Sequence, residues 1–150
     1  RCLTAPENIA MFEKYGVYNR RELESRYEVF LEDYHRRIKI EGEIALEIAE
    51  SMIRPAVAAE FGQNVRALAA AKEAGVTAGT AGLEKSVAAL GAGLDQLAAG
   101  ADALREALKG CHEEIIAAMN QLRRTVDALE PQVSDGCWPL PKYRELLFLR

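Results

Sequence analysis

Between Leu83 and Val133, apolar residues recur at alternating spacings of three and four. Leu83, Val87, Leu90, Leu94, Leu97, Ala101, Leu104, Leu108, Cys111, Ile115, Ala118 and Leu122 keep heptad phase. The phase then slips by one to Val126, Leu129 and Val133, and no proline interrupts the run before Pro131. Such spacing draws a narrow apolar stripe along one or two very long helices, which must bury it against a partner helix. At about 1.5 Å per residue, roughly 50 helical residues would span about 75 Å. A rod has little concave surface, so an assembly or interaction element is expected in preference to an active site. The fold class that follows is all-α: a long antiparallel helical hairpin, or elongated coiled-coil-like bundle, with a short N-terminal helix and a docked Trp-Pro-x-Pro tail.

The rest of the chain fills in that plan as a single helical domain over residues 1–150. A short helix is expected at about 5–15, with Thr4 as N-cap, Pro6 in its first turn and Gly16 beyond its end. Asn19 and Glu22 have capping-box spacing and open a first arm over about 20–74. Its apolar face uses Leu23, Tyr27, Phe30, Leu31, Tyr34, Ile38, Ala45, Ile48 and Met52. Pro55 removes a backbone donor, and because the helical pattern resumes through Val57, Phe61, Val65 and Leu68, a kink near Ile53 is expected. Residues 75–82, rich in glycine and threonine, form the clearest turn. Two long helices joined by so short a connection must run antiparallel. The second arm covers about 82–130, with Gly110 as the place for a break. Gly91, Gly93, Gly100 and Gly110 each cost about 1 kcal/mol against alanine inside a helix, which predicts a less stable distal half. The tail, 131–150, is expected to be non-helical, since the prolines of Trp138-Pro139-Leu140-Pro141 hold their predecessors extended. Tyr143, Leu146, Leu147 and Phe148 form an apolar cluster that should be docked.

Charge and composition exclude several classes. The formal net charge is −4, and the arginines Arg20, Arg21 and Arg26 alternate with Glu22, Glu24 and Glu28. That describes a salt-bridged helix surface and argues against a nucleic-acid partner. No apolar run has the length of a membrane span and no signal peptide is visible. The chain starts at Arg1, so a longer parent is expected. Cys2, Cys111 and Cys137 are odd in number and lack C-x-x-C spacing, which favours a reduced, cytoplasmic protein, with Cys111 packed on the apolar stripe. His35 and His112 lie on opposite arms, without metal-ligand spacing, and are expected at the solvated surface. Glu41, Glu43, Glu47 and Glu50 form an acidic series, expected to be solvated or salt-bridged. The turn glycines lack the Lys-Ser/Thr of a phosphate loop. No catalytic, cofactor-binding or metal residue is therefore assigned.

Two groups of short motifs go beyond generic helix. The first is Gly16-Val17-Tyr18, Ser25-Arg26-Tyr27-Glu28, Leu31-Glu32-Asp33-Tyr34, Ile38-Lys39-Ile40-Glu41 and Ile53-Arg54-Pro55-Ala56-Val57. The second is Ala118-Met119-Asn120, Leu122-Arg123, Val126-Asp127-Ala128-Leu129-Glu130, Trp138-Pro139-Leu140-Pro141-Lys142-Tyr143 and Leu146-Leu147-Phe148. In this order they resemble the C-terminal helical region of type III glutamine synthetases, the long-subunit bacterial class. The resemblance covers about 12–58 and 117–148; the Ala/Gly-rich middle, 59–116, carries no matching motif. It implies a parent enzyme, a glutamate–ammonia ligase using ATP and Mg or Mn, built as a cytoplasmic oligomer. In that family the catalytic, nucleotide and metal residues belong to a preceding domain, so none is carried onto this chain and no cofactor is expected in it. The implied partners are the catalytic domain of its own chain and neighbouring subunits. The matching positions read as structural: Tyr27, Tyr34, Ile38 and Ile40 for packing, Trp138 and Tyr143 as tail anchors, and Arg26 and Glu41 as buried or interface ion-pair residues. The alternative is a free-standing helical-hairpin interaction or adaptor protein. A secreted Trp-x-Gly hairpin would place its Trp at the turn, whereas Trp138 is in the tail. An independent helical-bundle enzyme would need Glu-x-x-His pairs that the sequence lacks.

Overall fold

A computed structural model describes residues 2–141 and 143–147, without the side chains of Tyr143 and Arg144. The described residues are all-α, with no strand. In order they are α1 (Pro6–Lys14), α2 (Arg20–Ile48), a π-helical turn (Ala49–Ile53), α3 (Arg54–Glu73), α4 (Thr80–Ala107), α5 (His112–Leu129), a 3-10 turn (Glu130–Gln132) and α6 (Tyr143–Leu147). Contacts divide the chain into two units, residues 1–41 and 42–150.

In the first unit, Pro6 takes the first helical position, where its missing N–H costs nothing. The residue immediately before it, Ala5, is therefore the N-cap, and Thr4 lies too far back to cap. Gly16 closes α1 at φ +64, in the left-handed region glycine enters without strain. Its N–H donates to the Glu13 carbonyl and that of Val17 to Phe12, the paired bonds that end a helix. Asn19 and Glu22 form the reciprocal capping box: the Asn19 N–H donates to Glu22 Oε2 at 2.8 Å and the Glu22 N–H to Asn19 Oδ1 at 2.9 Å. Ile9, Leu23 and Ile38 are buried here. Much of the apolar face expected of the first arm is not: Phe30 is 62% exposed and Tyr34 45%, and Leu31 and, in the second unit, Met52 are also exposed, as is Ile40, a packing position implied by the resemblance, at 50%. Periodicity marks one face of a helix but not whether another element covers it. Arg26 is not in a buried ion pair either; its guanidinium stacks over the Tyr18 ring at 4.4 Å. Glu41 is exposed.

In the second unit the chain stays helical through Pro55, but with one widened turn. The Arg54 N–H reaches back five residues to the Ala49 carbonyl instead of four. Proline has no N–H to offer and its ring crowds the preceding turn, so the extra residue relieves both. The Ser51 hydroxyl donates to the Glu47 carbonyl at 2.6 Å in the same turn. Helix α3 ends on Gly75 at φ +70, with the Val76 N–H bonded to the Ala71 carbonyl, and the chain reverses into α4.

The second arm is two helices. After Ala107 the chain turns through residues 108–111, and Cys111 becomes the N-cap of α5, its N–H donating to Glu114 Oε2 at 3.1 Å. This removes Cys111 from the apolar stripe and leaves it exposed. Helix α4 packs on both α3 and α5. Its buried leucines, Leu90, Leu97 and Leu104, stand seven apart, as do Ile115, Leu122 and Leu129 of α5. Leu129 thus stays in step with Leu122, while Val126, where the sequence read a phase slip, is only half-buried. Two glycines counted against helix stability turn out to be contact points. A Cβ on Gly93 would lie 2.3 Å from Leu129 Cδ2, and one on Gly100 3.2 Å from Leu122 Cδ1.

The tail differs from its expectation in containing helix, the 3-10 turn and α6. Pro131 and Pro141 sit at or just before helix starts, where proline is tolerated. Ser134 ties it to α3: its N–H and hydroxyl both donate to Glu60 Oε2, at 3.2 and 2.7 Å. Trp138 is buried, whereas Leu146 and Leu147 are exposed. The Tyr143 side chain and Phe148 lie outside the described residues.

Gly93→Ala should destabilise by about 1–2 kcal/mol, because overpacking against Leu129 outweighs the helix-propensity gain of about 1 kcal/mol. Gly82→Ala, where an added Cβ meets nothing within 4 Å, should instead stabilise by a few tenths to about 1 kcal/mol. Urea midpoints of the two variants would carry opposite signs. Glu60→Ala should cost about 1 kcal/mol and shift the emission of Trp138, the sole tryptophan, to the red. An unchanged emission maximum would show that the tail is held by other contacts.

Candidate functional site

The second unit carries a groove of about 450 Å³. The π turn shapes one wall, where Ala45, Ile48, Ala49 and Ile53 line it from α2 and the turn. Met119, Leu122 and Val126 of α5 line the other, and Leu140 of the tail closes one side. The alanines keep the first wall low, and the widened turn sets where α3 leaves α2. Gly42 lies at the same seam; a Cβ there would come within 2.9 Å of both Ile115 and Leu108. On the rim are Asn120 and an exposed ion pair, Arg123 Nε to Asp127 Oδ2 at 3.7 Å.

This is chemistry for apolar contact. The walls present methyl and methylene groups, and the rim charges satisfy one another. Nothing lining the groove is a nucleophile next to a base. Among the described residues no three His, Cys, Asp or Glu are grouped to hold a metal ion.

The residues singled out from the sequence fall elsewhere. Glu41, Glu43 and Glu47 are exposed. Glu50, half-buried in the π turn, accepts from Arg105 of α4 at 2.5 Å, and Arg105 also bonds Asp102. The hydrogen bonds to Glu50 and then Asp102 raise the Arg105 pKa above its ordinary value. The cluster joins α4 to the π turn. His112, expected to be solvated, is only 23% exposed at its side chain, with Nε2 3.0 Å from Glu113 Oε1. His35 is half-buried. Cys2, Cys111 and Cys137 are free thiols. Sequence reasoning missed the groove itself. Its one legible signal was Pro55, read as a bend and not as the cause of a widened turn.

Comparison with known proteins bears on what such a helical domain belongs to. Residues 1–72 match the family model described as glutamine synthetase C-terminal domain. The chain is 26% identical over 165 aligned residues to a type-3 glutamine synthetase of Dictyostelium discoideum, covering 99% of this chain and 22% of that protein. It is 29% identical over 155 residues to a glutamine synthetase of Butyrivibrio fibrisolvens, covering 95% of this chain and 22% of that one. The chain thus spans about a fifth of the length of these relatives. The Dictyostelium relative means that the likeness does not by itself set a bacterial source. No solved structure matches. On these matches the chain is similar to the C-terminal helical region of type III glutamine synthetases, as its motifs imply, with its first 72 residues matching the glutamine synthetase C-terminal domain model.

Proposed function

We propose that this chain is a non-catalytic helical domain of a type III glutamine synthetase, serving subunit assembly or regulation of the catalytic part. The observation that carries the reading is where the apolar surface lies. Among the described residues, most exposed large apolar side chains, from Met11 to Val65, fall within residues 1–72, the segment that matches the family model. None falls on α4 or α5. A helix exposing large apolar groups along its length is built to be covered by another surface. In this reading the covering surfaces are the catalytic part of the same protein and its neighbouring subunits, in a cytoplasmic oligomer. No described helix is long and apolar enough to cross a membrane.

The parent protein would make glutamine from glutamate, ammonia and ATP, with Mg or Mn. The apolar groove described here, with its paired rim charges, does not suit a nucleotide phosphate or a divalent ion. That chemistry is therefore assigned to the rest of the parent, and no step is derived through it.

The test has two arms. The 150-residue chain, supplied with glutamate, ammonia, ATP and divalent metal, is expected to form no glutamine. A full-length type III glutamine synthetase lacking the equivalent region is expected to sediment as smaller species with reduced activity. Glutamine formation by the chain alone, or full-sized and fully active assemblies after the deletion, would overturn the reading.

A further inference from the structure

Within the first unit, Phe30, Asp33, Arg37 and Ile40 of α2 follow one another at spacings of three, four and three. Residues so spaced share one face of a helix. That face is open to solvent. Phe30 is 62% exposed and Ile40 50%, and beside them Val29 is 60% exposed. Asp33 Oδ2 and Arg37 Nη2 are 2.9 Å apart, with side chains 49% and 73% exposed.

The order along this face is apolar, acid, base, apolar, and that order is its own complement. A second α2, laid antiparallel with a two-fold axis between Asp33 and Arg37, sets Phe30 against Ile40 at both ends. Across the middle it sets Asp33 of each copy against Arg37 of the other. A face reading apolar, acid, acid, apolar would repel its own copy at the centre. We propose that α2 pairs in this way with α2 of a second copy of the chain.

In the pair, the two intrahelical ion pairs join into a ring of four alternating charges, flanked by two aromatic–aliphatic contacts. This is an isologous contact, closed by one two-fold axis. Tyr34 lies on the flank close to the axis. Arg36, on the other flank, is held by Glu32 of its own helix at 2.9 Å. One stretch of a single helix buries little area compared with stable interfaces, so the dimer is weak and forms only at high concentration. The pairing rests on the surface of α2 and does not depend on the glutamine synthetase reading.

Sedimentation equilibrium of the 150-residue chain, carried to roughly millimolar concentration, tests it. A monomer–dimer equilibrium is expected that weakens with added salt. Asp33→Arg and Arg37→Asp should each raise the dimer dissociation constant by about tenfold, by setting like charges across the axis. The double variant Asp33→Arg/Arg37→Asp should restore it, because the charge ring is re-formed with its signs exchanged. Phe30→Ala, which leaves the charges alone, should weaken it by about tenfold as well. Circular dichroism should show unchanged helix content in every variant, which separates loss of pairing from loss of α2. A monomer at all concentrations overturns the proposal. So does a dimer indifferent to these variants, or a double variant that keeps its helix content but stays monomeric. Glutamine formation plays no part in this readout, so failure here leaves the preceding reading untouched.

Discussion

The bundle of the second unit depends on how closely α4 approaches α5. Leu90, Leu97 and Leu104 supply one row of buried side chains and Ile115, Leu122 and Leu129 the other, and close packing forces the rows together. Gly93 and Gly100 make that possible, because Leu129 and Leu122 occupy the space a Cβ would take. Helix α4 also packs against α3, so its position transmits to the rest of the unit. The glycines lower the intrinsic helix preference of α4 by about 1 kcal/mol each and regain it as contact.

Two local devices shape what this core can present. The tight turn at residues 108–111 splits the second arm, and Glu114 reaching back to the Cys111 N–H closes it. A Cβ on Gly110 would fall 1.8 Å from Glu114 Oε2, so the glycine makes room for that carboxylate. The π turn before Pro55 does the opposite: it keeps the helical path intact while shifting every later side chain around the axis. Ile53, the last residue of the turn, is buried, and a shallow apolar groove lies between the turn and α5. Neither device creates a reactive centre, and both leave apolar contact as the use of the surface.

Much of the plan was legible because it is local. The glycine closing α1, the Asn19–Glu22 box and the glycine turn near 75 are each specified by a few neighbouring residues, and all form as read. The groove was not legible, since its walls come from α2 and α5, more than sixty residues apart, and meet only after α4 has reversed the chain twice. Cys111 shows the limit of reading by period. It keeps heptad phase in the sequence, yet Gly110 and Glu114 turn the backbone there and convert a stripe position into an exposed cap. Phe30 and Tyr34 show the same limit from the other side, since a periodic apolar face is buried only if something covers it.

The sequence by itself determined that the chain is helical, where the Asn19–Glu22 box and the turns at Gly16 and Gly75 fall, and which family its motifs resemble. Those properties depend on hydrogen bonds and dihedral preferences within a few residues of one another. Only the tertiary structure decided which apolar faces are spent in the core and which remain exposed. It also decided that Gly93 and Gly100 are contacts instead of weaknesses. Burial is a property of two surfaces meeting, and a single helix carries the pattern for only one of them.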